Sequence, residues 1–279
     1  NKLLNNLKKS KNNNVIIEAS SHGLQQNRLT NISFSTGIFT NLSRDHLDYH
    51  KSLKQYLNAK LILFKNLIKE NGYAIFNNIS PQSKKLKKIC KKRKLKILSF
   101  GKGGTLEIIN HRFINHNQYV KFNYKNKEYS FKSSLIGKIQ IENILMAALA
   151  ATRIVPMKRI VNILHKIKPI NGRLEKIGKL KNLSTIILDY AHTPDALKIC
   201  IKNIRQQFKH SNISILFGCG GERDKSKREI MGNITNDLCD KIYLTDDNPR
   251  KENPSKIRKQ IKKKLKKQNL LKYLQEKMP

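Results

Sequence analysis

Cysteine is scarce and badly placed for cross-linking: Cys90, Cys200, Cys219 and Cys239 lie far apart and form no CxxC pair. That spacing excludes a zinc knuckle or a disulfide framework and fits a reducing cytoplasm. No apolar run approaches the roughly 20 residues needed to span a bilayer, and no signal peptide is present, so membrane insertion is not expected. Acidic residues are few, 19 against 57 Lys and Arg, which gives a formal charge of +38. Such a charge invites a nucleic-acid reading. Only 12 of the basic residues are Arg, however, and the lysines are spread over most segments among abundant Asn and Ile. A codon bias toward A/T-rich triplets produces that mixture, whereas nucleic-acid readers concentrate Arg and aromatic residues on one face. The one dense basic run, Lys256–Gln268, reads as the solvated side of a helix. No nucleic-acid partner is expected. A nucleotide phosphate loop is also missing: GKGGT at Gly101–Thr105 lacks the GxxxxGK[ST] order and precedes a hairpin pattern, so it reads as a turn. The sequence begins without an initiator and stops soon after a basic helix, which predicts a piece of a longer protein.

What is present is enough for real cores. Hydrophobic content is 38%, with periodic Ile and Leu, and 279 residues suffice for one large or two ordinary domains. Val15–Ala19 reads as a buried strand ending near Glu18, and Ser33–Thr40 as a second strand. Ser52–Asn66 has helical spacing. Tyr73–Phe76 and Lys96–Phe100 read as strands flanking a Lys-rich helix that ends near Lys94. Leu106–Leu135 alternates as antiparallel hairpins do, and Ile139–Ile154 and Met157–Ile167 read as helices. The turn-rich stretch Pro169–Arg173 marks a hinge. Beyond it the pattern alternates: strands at Thr185–Asp189, Ile213–Phe217 and Lys241–Thr245, and helices at Pro194–Phe208, Ser226–Leu238 and Asn253 to about Lys267. The expectation is α/β throughout, with parallel sheets, an antiparallel addition in the first domain, and ligands at the strands' carboxyl ends.

Chemistry concentrates in a few polar blocks. TNLSRDHLDYH crowds Arg44, Asp45, His46, Asp48 and His50 into one turn, and the helix after it carries Lys60. Polar groups packed beside an apolar core are costly unless they hold a charge such as a metal or phosphate. Glu18 and His46 are a carboxylate and an imidazole suited to Mg²⁺ or Mn²⁺, but Lys60 as a cation opposes them. A plainer reading has His46 capping a turn and Lys60 snorkelling from a helix surface. Further on, Gly218-Cys219-Gly220-Gly221 makes a bare turn between strand and helix, built either to bind an anion or to pack tightly.

The blocks EASSHGLQQNR (18–28), TNLSRDHLDYH (40–50) with Asn58-Ala59-Lys60, NGRLE (171–175), DYAHTPDAL (189–197), FGCGGERDKSKR (217–228) and TDDNPR (245–250) occur in order. Together, from about Val15 to Pro254, they resemble the signature blocks of the Mur ligase family, and within it the branch that adds a diamino acid during peptidoglycan synthesis. The resemblance implies a partial central ATP-binding domain over residues 1–170 and a truncated, Rossmann-like C-terminal amino-acid-binding domain over 171–279. It implies a cytoplasmic, monomeric ligase that uses ATP and Mg²⁺ to join meso-diaminopimelate to UDP-N-acetylmuramoyl-L-Ala-D-Glu through an acyl phosphate. In that family the lysine at the position of Lys60 is carbamylated, which turns it into an anionic ligand beside Glu18 and His46. Ser20, Gln26 and Arg28 match contacts to the UDP-sugar-peptide, although Ser20 also suits a cap. Asn143, Arg173 and Asp189 match ATP contacts, although Asn143 also suits a helix cap; His192 is left as a helix-start residue. Arg223 with Asp247, Asn248, Pro249 and Arg250 matches the diaminopimelate site. Asn27 stands where the family usually has His, and Glu222 where Asp is common. The family's uridine-binding domain and phosphate loop are expected before Asn1, and its GKGHE-like segment after Pro279.

Overall fold

The apolar residues Tyr73–Phe76 sit in a strand longer than the run itself, β2 (Ile68–Asn77), which is buried on both faces. Ala74 and Phe76 point into one core and Ile75 into another. The computed structural model describes residues 6–7, 9–10, 14–263, 265 and 270–274. β2 pairs in parallel with β1 (Phe34–Phe39) and β3 (Lys96–Phe100). The sheet continues through β4 (Leu106–Ile114), β5 (Asn117–Tyr124) and β6 (Lys127–Ser133), an antiparallel meander that completes the order β1-β2-β3-β4-β5-β6. Gly101–Thr105 is the turn between β3 and β4, as its sequence predicts, with Gly101 and Gly103 at positive φ.

Helices cover both faces. On one, α3 (Leu53–Ile62) and α4 (Ser83–Lys92) bury Leu61, Leu86 and Cys90 against Ala74 and Phe76. α3 starts where the Ser52 hydroxyl accepts the Gln55 amide, and it ends in a π-helical turn, Leu63–Leu67. Arg93 donates to the carbonyls of Lys65 and Ile68 there, satisfying groups that the abrupt passage from helix to strand exposes. Two short helices precede α3: α1 (Ser21–Gln25) and α2 (Leu47–His50). On the other face, α5 (Lys138–Ala151) and α6 (Met157–Leu164) bury Ile141, Leu145, Leu149 and Ile160, each worth about 2 kcal/mol by area removed from water.

After the turn at 169–173 the chain builds two more sheets. A parallel one has the order β11-β10-β9, formed by β9 (Ser214–Phe217), β10 (Lys241–Thr245) and β11 (Leu270–Leu274), with α7 (Pro194–Gln207), α8 (Ser226–Leu238) and α9 (Pro254–Lys262). Thr193 and Asn253 cap α7 and α9, and each is followed by a proline at the first helical position. The other is a two-stranded antiparallel ribbon, β7 (Glu175–Lys179) with β8 (Thr185–Leu188).

Two expectations need correcting. Val15–Ala19 joins no sheet among the described residues, and Ile16 is fully exposed. A short apolar run is buried only where another element covers it, and here the sheet ends at β1. Thr185–Leu188 is a strand but pairs antiparallel with Glu175–Lys179, a charged segment whose partly exposed pattern hid it. The last part of the expected final helix, 263–267, falls mostly outside the described residues.

One ion pair, between a buried guanidinium and a partly exposed carboxylate, joins the loops of the last domain. Arg228 on α8 has no exposed side-chain surface and forks onto Glu252, with Nη1 donating to Oε2 (2.9 Å) and Nη2 to Oε1 (3.0 Å). It also donates to Gln260 Oε1 (2.7 Å) and to the Gly220 carbonyl (3.1 Å). Glu252 Oε1 in turn accepts the Glu222 amide at 2.6 Å. These donors, Arg228 first, hold the Glu252 carboxyl down to about 2.

Two outcomes follow. A depressed carboxylate contributes stability that is fully present above its ordinary value of 4.5 and is lost as pH falls toward 2. Urea midpoints measured across that window should therefore fall more steeply for the wild type than for Glu252→Gln; parallel slopes would contradict the pairing. Separately, a Cβ at Gly232 would lie 2.2 Å from the Ile261 carbonyl of α9, so Gly232→Ala should cost about 1–3 kcal/mol by urea unfolding. Gly178→Ala, where nothing lies within 4 Å, should shift stability by no more than about 0.5 kcal/mol.

Candidate functional site at the seam between the two domains

The carboxyl end of β1 opens into the loop Thr40–His46, and the side chains there are fixed by local bonds. Asp45 Oδ1 accepts the His46 amide at 2.8 Å, and His46 adopts a left-handed conformation, φ 54°. His46 occupies the cap position of α2, yet its side chain makes no capping bond. The turn-cap reading of His46 therefore fails. Its ring instead lies 3.5 Å from Asp45 Oδ2, 4.9 Å from the His22 centroid and 5.8 Å from that of Tyr56.

Lys60 comes to the same place from α3. Its ammonium lies over the rings of Tyr56 (5.0 Å) and Phe39 (5.7 Å) and donates to the Asn41 carbonyl at 2.9 Å. Burial pushes its pKa down, opposed by the Asp45 charge. Burial, with help from Asp45, pushes the neighbouring Tyr56 up. His46 and Lys60 each lie beside the Tyr56 ring. Glu18 is exposed and makes no hydrogen bond or ion pair among the described residues. Among the described residues no group of three His, Cys, Asp or Glu is placed to hold a metal ion. A carbamate on Lys60 would add a carboxylate-like donor to the imidazole of His46.

The sequence missed an aromatic cluster beneath this loop. His22, Tyr49, His50 and Tyr56 form a chain of ring contacts between 4.1 and 5.2 Å, and buried His50 shares a 2.8 Å hydrogen bond with Ser21. The sequence groups His50 with the polar turn; in the structure it is buried, and its four-residue offset from His46 is the only signal that separates them. The side chain of Asp48 lies outside the described residues. Ser20 caps α1 through the Gly23 amide (3.1 Å), Gln26 Nε2 donates to Tyr49 Oη (3.1 Å), and Arg28 projects into solvent.

The hinge carries a second group. Asp189 accepts the Leu174 amide (2.8 Å) on one oxygen and the Ala191 amide (2.9 Å) on the other, closing the loop around Gly172. Arg173 lies over the Tyr190 ring at 4.9 Å, and its carbonyl accepts from Gln140 on α5. Asn143, one turn beyond Gln140, is exposed on that helix; the cap position belongs to Gly137, so the capping alternative for Asn143 is excluded.

The third group lies on two loops of the parallel sheet. A Cβ on Gly221 would fall 1.9 Å from the Pro249 carbonyl, and one on Gly218 2.5 Å from that of Thr245. These glycines therefore serve close packing. Arg250, at φ 51°, donates to the Gly221 carbonyl, and Asn248 Oδ1 accepts the Arg250 amide at 3.3 Å. Asp247 Oδ1 accepts the Asn248 amide. Arg223 is exposed and makes no side-chain hydrogen bond among the described residues.

These groups converge across the domain seam. The Arg44 amide donates to Asp195 Oδ2 (3.2 Å), while its guanidinium reaches Ser226 Oγ (3.4 Å) and Asp224 (3.9 Å). His192 Nε2 lies 3.8 Å from Asp45, and Lys227 donates to the His192 carbonyl. Blocks 40–50, 189–197 and 217–228 thus meet at one place. A cavity of about 590 Å³ at the opposite, amino end of β1, lined by Asn27, Ser33, Ile68 and Arg93, touches none of them.

Comparison with known proteins agrees with this layout. Residues 1–151 match the Mur ligase middle domain, and residues 172–276 match the Mur ligase glutamate ligase domain. The UDP-N-acetylmuramoyl-L-alanyl-D-glutamate--2,6-diaminopimelate ligase of Rickettsia bellii is 38% identical over 262 residues, covering 93% of this chain and 54% of that protein. A solved structure of an enzyme with the same name superposes with a TM-score of 0.62 at 29% identity, covering 93% of this chain and 54% of the other. Folylpolyglutamate synthase of Mycobacterium tuberculosis complexed with ADP and AMPPCP shares the fold alone, with a TM-score of 0.71 at 14% identity, covering 86% of this chain and 54% of the other. The chain spans about half the length of the curated relatives it matches. With two consecutive domain matches over nearly its whole length, the chain belongs to the Mur ligase family.

Proposed function

We propose that the whole protein joins meso-diaminopimelate to the D-Glu carboxyl of UDP-N-acetylmuramoyl-L-Ala-D-Glu at the expense of ATP, in the cytoplasm, as a monomer. Residues 1–170 are then part of its ATP-binding domain and 171–279 part of its amino-acid-binding domain. The observation that carries the reading is the meeting of the Arg44–His46 loop, the His192–Asp195 segment and the Asp224–Lys227 segment at a single seam.

In this reading an oxygen of the substrate carboxylate attacks the γ-phosphorus of ATP, and ADP leaves. The diaminopimelate amine then attacks the acyl phosphate carbon, and the tetrahedral intermediate expels phosphate as the amine loses its proton. Like charges must be brought together at each step, so positioning and neutralisation dominate. Asn143, Arg173 and Asp189 are assigned to ATP; Asn143 is an exposed amide on α5, and Arg173 and Asp189 lie at the hinge. Ser20, Gln26 and Arg28 are assigned to the UDP-sugar-peptide. Arg223 and the Asp247–Arg250 loop are assigned to diaminopimelate, whose distal carboxylate suits the Arg250 fork.

Lys60 supports a metal in this site. Its burial lowers the pKa of its amine, and the neutral amine is the form that combines with carbon dioxide. Carbamylated, it would hold Mg²⁺ with His46 and Glu18. Bound there, Mg²⁺ would neutralise charge between γ-phosphate and carboxylate.

In the full-length protein, Lys60→Ala should lower ATP-dependent joining by roughly 10²-fold or more, with no rescue by bicarbonate. Turnover at the wild-type rate would remove Lys60 from the site. Arg250→Ala should raise the KM for diaminopimelate by about tenfold, the loss of one charge-assisted hydrogen bond, and leave the KM for ATP unchanged. An equal rise in both constants would refute its assignment.

A further inference from the structure

Arg223 and Arg250 sit on different loops, tied directly where the Gly221 amide donates to the Asn248 carbonyl (2.9 Å) and Arg250 donates to the Gly221 carbonyl. The ion pair Arg228–Glu252 adds a second brace between the same two loops. Glu252 lies two residues after Arg250, and its Oε1 accepts the amide of Glu222, the residue before Arg223. Arg228 comes up from α8 between the loops, forks onto Glu252 and donates to the Gly220 carbonyl. Gln260 on α9 closes the brace from below, and Arg250 itself donates to the Gly221 carbonyl. Glu222 and Arg250 both adopt positive φ, 51° each, a conformation that persists in non-glycine residues only where surroundings over-determine it. The brace supplies that surrounding.

We propose that Arg228 and Glu252 form a positioning pair that sets the separation of Arg223 and Arg250, and with it the length of the amino acid the site accepts. Neither residue touches the ligand; both act through the two loops. The proposal rests on the assignment of these loops to the diaminopimelate site. The physical reason for this residue pair is the fork. A guanidinium makes parallel bonds to both carboxylate oxygens with nitrogen left for Gly220 and Gln260, whereas an ammonium offers three donors from a single point. A shift of about 1 Å in one loop is enough to spoil a ligand held at both ends.

The test uses the full-length protein with meso-diaminopimelate. Arg228→Met and Arg228→Lys should each raise the KM for diaminopimelate about tenfold or more, with kcat and the KM for ATP and for the UDP-dipeptide within about twofold of wild type. Glu252→Gln should act in the same direction, because its amide turns one Arg228 bond into a donor–donor contact. Breaking an ion pair with a buried guanidinium also destabilises, so one of these single variants can fail to fold. The double variant Arg228→Met with Glu252→Met removes both charges and should melt closer to wild type than either single variant, while the KM stays raised. Recovery of KM together with stability would overturn the proposal and leave the pair merely structural. Equal rises in all three KM values, or a wild-type KM in a folded single variant, would overturn it as well.

A second readout needs no activity. Hydrogen exchange of the Glu222 amide should be slow in the wild type and at least tenfold faster in Glu252→Gln; unchanged exchange overturns the brace itself. A wild-type protein that joins no diaminopimelate would refute the proposed function, and the exchange result would still decide whether the brace exists.

Discussion

Gln207 lies at the end of α7 with its side chain buried against the other domain, where both ends of its amide must find partners. Its Oε1 accepts the Gly137 amide at 2.8 Å, and its Nε2 donates to the carbonyls of His116 (2.6 Å) and Leu135 (3.2 Å). Asn203, one turn earlier, accepts the Ile139 amide. Gln118, on the first domain's own sheet, donates to the Leu135 and Gly137 carbonyls, so the strip before α5 is saturated from both sides. A Cβ on Gly137 would fall 2.9 Å from the Asn203 Cβ, and the residue's φ is 87°, so only glycine serves there. A buried amide with fixed partners tolerates no sliding. That constraint sets α7 on α5, and α7 begins at Thr193, beside the segment that faces the Arg44–His46 loop. The candidate site exists where it does because the seam is locked about one helix length away.

Charge is distributed unevenly over this frame. The chain carries a large excess of Lys, yet its internal joints use Arg. Arg93 holds two carbonyls at the end of the π-helical turn, and Arg205 holds Asp240 and two carbonyls across the base of α8. Arg228 and Arg258 each clasp a carboxylate, Glu252 and Asp246. Each of these sites needs a planar fork with several donors, which Lys lacks. Lysines serve mostly as solvated surface, which is why the net charge says little about a partner. Lys60 is the exception: ringed by Tyr56 and Phe39, it sits where an ordinary lysine would not.

Much of the fold was legible because local periodicity and local burial agree. Lys96–Phe100, Ser226–Leu238 and Lys241–Thr245 match their expected limits, and the alternation over Leu106–Leu135 is the meander β4–β6. Failures occur where tertiary cover decides. Val15–Ala19 has a strand's composition and no neighbour to pair with, while Glu175–Lys179 is charged and pairs regardless. The polar seam was invisible for a related reason: Gln118, Asn203 and Gln207 are types usually found on surfaces, and only long-range hydrogen bonds justify their burial. Within the site, blocks 40–50, 189–197 and 217–228 lie at one seam, and His46 and Lys60 each lie beside the Tyr56 ring. The Ser21–His50 bond came without any local signature.

The sign of one charge organises what remains. With Lys60 as an ammonium, the Asp45 carboxylate acts on it; burial and that carboxylate pull its proton affinity in opposite directions, and burial is the larger effect. Under the proposed function the amine becomes a carbamate, and the balance inverts. Asp45 and the new anion then repel, while His46 at 3.5 Å from Asp45 and His192 at 3.8 Å are left facing two negative groups instead of one. A carbamate beside Asp45 would give this site a demand for a cation. His192 belongs to the second domain and Asp45 to the first, so the same demand acts across the seam. In this way the modification of a single side chain would tie metal binding to domain contact without any change in the fold.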